Sequence, residues 1–304
     1  MNDASKKNYT AGFSITFIGA ILFSTKAIFV KLAFAETGAD AITLLALRMV
    51  FALPFYLVIA FFYSNRTSNV KFTKKQWLII ILLGLTGYYL SSLFDFIGLQ
   101  YVSAGLERLI LFLYPTFAVL LNAAIFRQRI NKIQGFALVL TYIGIGIAYF
   151  GELKMDAGNP DFFLGTFFIF LCAVTFSIYL VGSGKLIPFV GATKFTAYTM
   201  TTASVGVIAH YFIAGNTVQH FSTPLLGYGI LLAIIATVIP TFFISNGLKK
   251  LGSNNVAIIS SIGPVSTILQ AHFILGERLS VAQVVGTLLV ICGVLLTGWF
   301  NRDI

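Results

Sequence analysis

The sequence predicts an all-α integral membrane protein: ten transmembrane helices arranged as two inverted five-helix repeats. Three observations predict it. The 304-residue chain is 58% hydrophobic and only 10% charged, where a soluble domain carries about 25% charged residues. Apolar runs of about 20 residues, the length that crosses one hydrocarbon core as a helix, recur along it. The pattern of Gly98–Ile147 also returns at Gly247–Val294, with an offset of 149 positions. With no gaps, Gly98 falls on Gly247, Pro115 on Pro264, Arg129 on Arg278, Gln134 on Gln283 and Gly144 on Gly293.

The remaining composition agrees. Mean hydropathy is +0.92. The 31 Phe and 27 Gly suit lipid-facing rings and close helix approaches. A net charge of +10 raises the question of nucleic acid, but that needs a solvated basic face. Here the basic residues lie mainly in short gaps between apolar runs, so no nucleic-acid partner is expected. Cys172 and Cys292 each sit within an apolar run, without CxxC or Cys/His spacing. No metal, disulfide framework or cofactor is expected, and no ATP-binding motif occurs.

The elements follow in order. After a polar start with Lys6 and Lys7, Ala11–Ala35 is the first apolar run. Ala33-Phe34-Ala35 resembles a signal cleavage site, but Lys26 and Lys31 interrupt the run, and it exceeds a signal h-region. It is read as a retained spanning helix. The ten spans are roughly 12–34, 41–63, 76–98, 104–126, 133–150, 162–182, 193–214, 225–247, 254–275 and 281–300. Gly, Asn, Ser and Pro break the gaps. Gly151–Asp161 is the most polar internal gap. It divides the chain into repeats at 1–150 and 151–304.

Orientation comes from Lys and Arg. Fourteen of the 20 fall in one alternating set of connections, and only Lys154 and Arg278 in the other. Both termini are therefore expected in the cytoplasm. Five spans per repeat, an odd number, invert the second copy. Arg129 and its repeat partner Arg278 then lie on opposite sides. Inverted repeats imply alternating access, with substrate near the midplane between the halves. The expected function is a secondary transporter of a small polar or amphiphilic metabolite. A channel or inert scaffold is the bland alternative.

Charges inside spans mark the candidate site. Each costs about 2.5–3.5 kcal/mol at the bilayer centre unless a cavity or partner receives it. Lys26 lies nine residues inside span one, roughly 13 Å deep at the helical rise. Lys31 is near enough to the end to snorkel. Arg48, Asp95, Glu107 and Arg108 join Lys26 in the outer half of repeat one. Salt bridging that holds an outer gate and direct contact with substrate or proton are both open. Adjacent Glu107 and Arg108 point about 100° apart and cannot face one point. Tyr114 and Asn122 share the Glu107 face. Repeat two carries Val256 and Ala257 opposite that pair, and Tyr179 opposite Lys26. Its polar groups include Ser261 and Gln270, which also have the option of bonding back to their own helix. His272, near the outer end of span nine, is a gate candidate or a packed residue. Pro115 and Pro264, matched and mid-helix, free a carbonyl each and suggest bent helices around a site. Ala282 and Gly286 have small-xxx-small spacing. Whether such stripes pack within a protomer or between two in a homodimer is left open by the sequence.

These residues have a familiar look. The chain resembles the EamA-type proteins of the drug/metabolite transporter superfamily. The resemblance rests on FSTKAIFVK in span one, LRM in span two, YVSAGLERLILFLYP leading into span four and, above all, ILGERLSVAQVVGTLLVICGV. It covers nearly the whole chain. It implies ten helices, cytoplasmic termini, a central cavity and export or exchange of small metabolites across the plasma membrane, the inner membrane of a bacterium. The first repeat departs from the family pattern in carrying Gln128 where the second has Glu277.

Lys26, Glu107 and Tyr114 are thus expected near the cavity, with Asp95, Arg48 and Arg108 as a charged outer gate. If Glu107 binds protons in turn with substrate, transport is proton-coupled. Two rival classes remain: an intramembrane enzyme, for which no buried nucleophile cluster or metal-ligand spacing appears, and a sensor or assembly subunit without flux.

Overall fold

The computed structural model describes residues 3–64, 71–127, 132–155, 158–217, 221–260 and 262–300. Among these every regular element is helical: α1 (Asp3–Thr37), α2 (Ala41–Ser64), α3 (Lys74–Gly84), α4 (Ser91–Gly98), α5 (Ala104–Leu111), α6 (Tyr114–Phe126), α7 (Lys132–Met155), α8 (Phe162–Val190), α9 (Ala192–Ile213), α10 (Thr223–Ala233), α11 (Ile239–Ser260), α12 (Ile262–Gln270) and α13 (Val281–Phe300). Three π-helical stretches interrupt them: Leu85–Leu90 between α3 and α4, Ile234–Val238 between α10 and α11, and Ala271–Leu275 after α12.

Six stretches are long and apolar enough to cross a membrane: Thr10–Thr37, Ala41–Ser64, Lys74–Gly98, Ala104–Ile125, Phe162–Val190 and Thr223–Gly247. Ile262–Leu275 and Val281–Gly293 are shorter apolar helices. Large side chains stand outward along these elements: Phe61 is 65% exposed, Ile213 83% and Phe273 78%. Water would not tolerate so continuous an apolar surface; lipid does.

Polar residues set the helix starts. Asp40 accepts the amide of Thr43 at 2.9 Å ahead of α2. Thr73 and Gln76 form a reciprocal capping box on α3. Two helix ends repeat. Gly276 closes the π-helical stretch Ala271–Leu275 in the left-handed region, at φ 70°, and Arg127 closes α6 there at φ 53°. These residues stand 149 positions apart. Glycine takes that conformation without cost, whereas a side chain at Arg127 does not.

α7 packs along α13, α1 along α11, α2 along α9, and α4 along α8. Smaller interfaces join α1 to α12, α6 to α8, α2 to α10, α3 to α9 and α5 to α12. α7 and α13 touch backbone to backbone. A Cβ on Gly144 would stand 2.6 Å from the Gly286 carbonyl oxygen, and one on Gly286 would collide with the Gly144 carbonyl. Glycines at that crossing serve packing inside one chain.

Two expectations differ locally. α11 runs through 248–253, where a gap between spans was expected. The helix is not straight there. Val256 Cγ2 lies 3.4 Å from where a Gly247 Cβ would stand, whereas nine residues of straight helix would separate them by ~13 Å. Span four, expected as one bent helix, is broken. α5 ends at Leu111, and Pro115 sits in the first turn of α6. There its missing N–H costs nothing, because first-turn amides have no helical partner.

Candidate functional site

The site is built around α5, which is buried on every side. Three devices fix its first turn. Ser103 Oγ accepts the Leu106 amide at 3.0 Å. Glu277, arriving from the connection before α13, accepts the Ala104 amide at 2.9 Å and the Gly105 amide at 3.3 Å with its two carboxylate oxygens. The orphan donors of a helix start are thereby satisfied, two of them by a charge that suits the helix dipole. Gln283 of α13 packs its amide against Gly105. The turn so fixed presents Glu107 and Arg108 inward.

Lys26 of α1 is the centre of charge. Its Nζ lies 2.7 Å from Asp95 Oδ2 and 3.4 Å from Glu107 Oε1. All three residues are buried. The two carboxylates therefore lie within ~6 Å of one another, close enough to interact strongly. The trio carries −1 with both carboxylates ionised and is neutral with one proton added. Glu107 Oε2 and Asp95 Oδ1 have no hydrogen-bond partner among the described residues.

Arg108 points elsewhere, as the 100° step between neighbours requires. Its Nη2 donates to Ser24 Oγ at 3.4 Å and crowds Gly263, where a Cβ would stand 2.7 Å away. Ser24 Oγ in turn lies 2.8 Å from the Ala20 carbonyl and 3.1 Å from that of Gly263. Thr267 Oγ1 donates to the Ser24 carbonyl at 3.3 Å. Pro264, next to Gly263 in α12, is buried. Residues of the first half thus meet α12 of the second.

Arg48 of α2 donates Nε–H to Thr237 Oγ1 at 2.8 Å and lies over the Phe96 ring, 5.3 Å from its centroid. Among the described residues neither Arg48 nor Arg108 has a carboxylate within the 4.0 Å of an ion pair. Lys31, by contrast, donates to the Leu99 and Val102 carbonyls at 3.2 and 3.0 Å, at the end of α4.

A second group is aromatic. Tyr114 meets Phe176 edge-on at 5.2 Å, Phe176 stacks on Tyr179 at 5.9 Å, and Tyr179 meets Tyr88 at 4.9 Å. Tyr114 and Tyr179 therefore belong to one aromatic group, whose fourth member is Tyr88. Among the remaining candidates, Asn122 is half-buried on α6. Gln270 bonds back to Ser266 Oγ at 2.8 Å. His272 is exposed, its Nδ1 2.9 Å from the Glu277 carbonyl. Ser261 lies outside the described residues.

Sequence reasoning missed Ser24, Tyr88, Thr237, Gln283 and the capping role of Glu277. A signal existed for Gln283, the repeat partner of Gln134. None existed for Thr237, one of many helical threonines.

The comparisons with known proteins converge. The EamA-like transporter family matches residues 10–150 and 163–299. "Uncharacterized transporter YcbK" of Bacillus subtilis (strain 168) is 32% identical over 282 residues, covering 91% of this chain and 89% of the relative. "Uncharacterized transporter YyaM" of the same organism is 25% identical, covering 79% and 78%. A solved structure titled only "Crystal structure of protein" matches with a TM-score of 0.67 at 19% identity, over 96% of this chain and 97% of that one, and shares the fold. The chain belongs to the EamA-like transporter family, and through it to the drug/metabolite transporter superfamily.

Proposed function

We propose that the protein is a secondary transporter that moves a small polar or amphiphilic metabolite by alternating access. It crosses the membrane ten times as two inverted repeats of five, with both termini in the cytoplasm of a cell whose plasma membrane it spans. The observation that carries this reading is the pattern of helix pairing. Number the ten expected spans. Span one packs on eight, and span six on three; one also meets nine, as six meets four; two meets eight, as seven meets three. Spans two and seven, four and nine, and five and ten pair with their own counterparts. Exchanging every span with the one five places later leaves these pairings unchanged, while the smaller α1–α5 and α8–α9 contacts have no counterpart of similar size. A two-fold axis between inverted halves has that consequence.

The π-helical stretches support the same axis. Leu85–Leu90 and Ile234–Val238 start 149 positions apart, the offset of the sequence repeat. The first packs on α8 and α9, the second on α1 and α2. π-bulges cost regular hydrogen bonding and cluster at functional sites. Relatives carrying the word transporter add their weight.

In this reading the two halves rock about the axis and open the site to each side in turn. The ion pairs of Lys26 all lie within the first half, so rocking does not have to break them. Hydrogen bonds that cross between halves near the site include Arg48–Thr237, Ser24–Gly263, Thr267–Ser24 and Glu277 to the α5 amides. Most are single bonds between neutral or singly charged groups, worth about 0.5–3 kcal/mol each, which suits contacts that are made and broken in turnover. The Lys26 trio, neutral with one proton and −1 with none, supplies a coupling group.

Proteoliposome flux screened against metabolite pools, wild type beside Lys26→Ala, tests the transport reading. Uptake of at least one pool member that collapses in the variant is expected; no uptake of any would remove the reading. Counterflow under imposed pH gradients tests the coupling. The wild-type rate should follow the gradient and Glu107→Gln should not; a wild-type rate indifferent to it would remove the proton.

A further inference from the structure

We propose that Arg48 anchors an anionic group, a carboxylate or a phosphate, on a monoanionic transported molecule. This rests on the carrier reading above and adds the substrate class. A guanidinium stays charged in any protein setting. Arg48 is only 2% exposed, and among the described residues no carboxylate pairs with it. Asp95, beside its stacking partner Phe96, acts on it from a distance but is engaged by Lys26 at 2.7 Å. Nε is satisfied by Thr237, while Nη1 is buried without a hydrogen-bond partner among the described residues. A buried charge whose nearest carboxylate is already held in another ion pair is costly. A group so placed is explained if a further anion comes and goes.

Its position fits that visitor. Thr237 lies within one π-helical stretch. Tyr88, at the matching position 149 residues earlier, lies within the other. Tyr88 packs with Tyr56 in the apolar cluster of Ala233 and Val238, which border the second stretch. Both hydroxyls reach the electrostatic neighbourhood of Arg48. The guanidinium thus stands where the matched deformations of the two halves meet, and inverted-repeat carriers hold substrate at that midplane junction. With Nε held by Thr237, the fork is fixed and Nη1 is offered. A carboxylate or phosphate oxygen there makes a charge-assisted hydrogen bond, and Tyr56, Tyr88 and Phe96 supply an apolar wall. The carboxylate of Asp95, which acts on Arg48 from a distance, would oppose a second negative charge, which selects a monoanion.

The test uses the full chain in lipid nanodiscs. Thermal stability is titrated with acetate and benzoate as carboxylate probes, dimethyl phosphate as the monoanionic phosphate probe, and acetamide and benzamide as neutral isosteres. At least one anionic probe should stabilise the wild type, and neither amide should. Whether the carboxylates or dimethyl phosphate act identifies the group. Arg48→Gln should raise the half-saturating concentration about tenfold or more, the usual worth of a hydrogen bond to a charged group, and Arg48→Lys should fall between. If Arg48→Gln does not fold, Thr237→Val, which frees the fork but keeps the charge, should weaken the response several-fold. No stabilisation of the wild type by any anion overturns the proposal, as does an unchanged anion response in a folded Arg48→Gln or in Thr237→Val. An Arg48-dependent anion response without flux would leave the anchor standing and sink the carrier. Flux untouched by Arg48→Gln would do the reverse.

Discussion

Glu277 accepts the amide proton of Ala104 at 2.9 Å, across 173 positions of sequence. A carboxylate at the edge of the second half holds the first turn of the helix that carries Glu107 and Arg108. Position 128, its repeat counterpart, is Gln. The clamp on α5 is therefore charged while its sequence partner is neutral.

Removing this clamp should loosen α5. Glu277→Ala leaves the Ala104 and Gly105 amides without their acceptor, a loss comparable to that of a helix cap, about 0.5–2 kcal/mol. Glu277→Gln keeps one acceptor oxygen and should cost less. Thermal unfolding of the purified protein checks the ranking. Equal stability of both variants and the wild type would show that the clamp carries no energy.

Lys26→Ala should be severely destabilised, because it strands two buried carboxylates. Breaking one side of a buried ion pair costs about 3–5 kcal/mol. The double variant Lys26→Met with Asp95→Asn removes one charge of each sign and should regain part of that loss, while flux stays low in both. Denaturation in detergent together with proteoliposome flux measures the two effects separately. A double variant no more stable than the single one would mean that the pair is not the source of the loss.

Gly144 and Gly286 should reject even one methyl group. Ala at either position meets the facing backbone, and overpacking of this kind costs about 1–3 kcal/mol. Gly146 on the same helix has nothing within 4 Å of its Cβ position. Gly146→Ala should be neutral or gain up to about 1 kcal/mol from helix propensity. Comparing the three melting temperatures checks the contact. A Gly144→Ala protein as stable as Gly146→Ala would contradict it.

Much of this was legible in the sequence, for a physical reason. Charge in lipid is so costly that Lys26, Asp95 and Glu107 had to be brought together or wetted, and the structure brings them together. The repeat was legible because a copied module keeps its glycines and prolines, and the helix ends at Arg127 and Gly276 follow its register. The break after Leu111 was not, since Pro115 reads equally as a kink or a first-turn residue. The partners of Arg48 and Arg108 were also hidden. Sequence shows an ionisable side chain, but its assignment to a hydroxyl such as Thr237 or Ser24 depends on which helices meet. The π-helical stretches leave no composition signal, because one extra residue per turn is a choice of hydrogen bonding. Only their matched spacing gives them meaning.

The most direct measurement concerns two residues at matched places in the copied module. Lys132 and Val281 begin α7 and α13, both exposed and 149 positions apart. Single-cysteine versions, Lys132→Cys and Val281→Cys, are made with Cys172 and Cys292 replaced by Ala and treated with a membrane-impermeant maleimide on intact cells. The account predicts labelling of position 281 at once and of position 132 only after the membrane is opened. Labelling of both from the same side would contradict the inverted arrangement, and with it the rocking carrier.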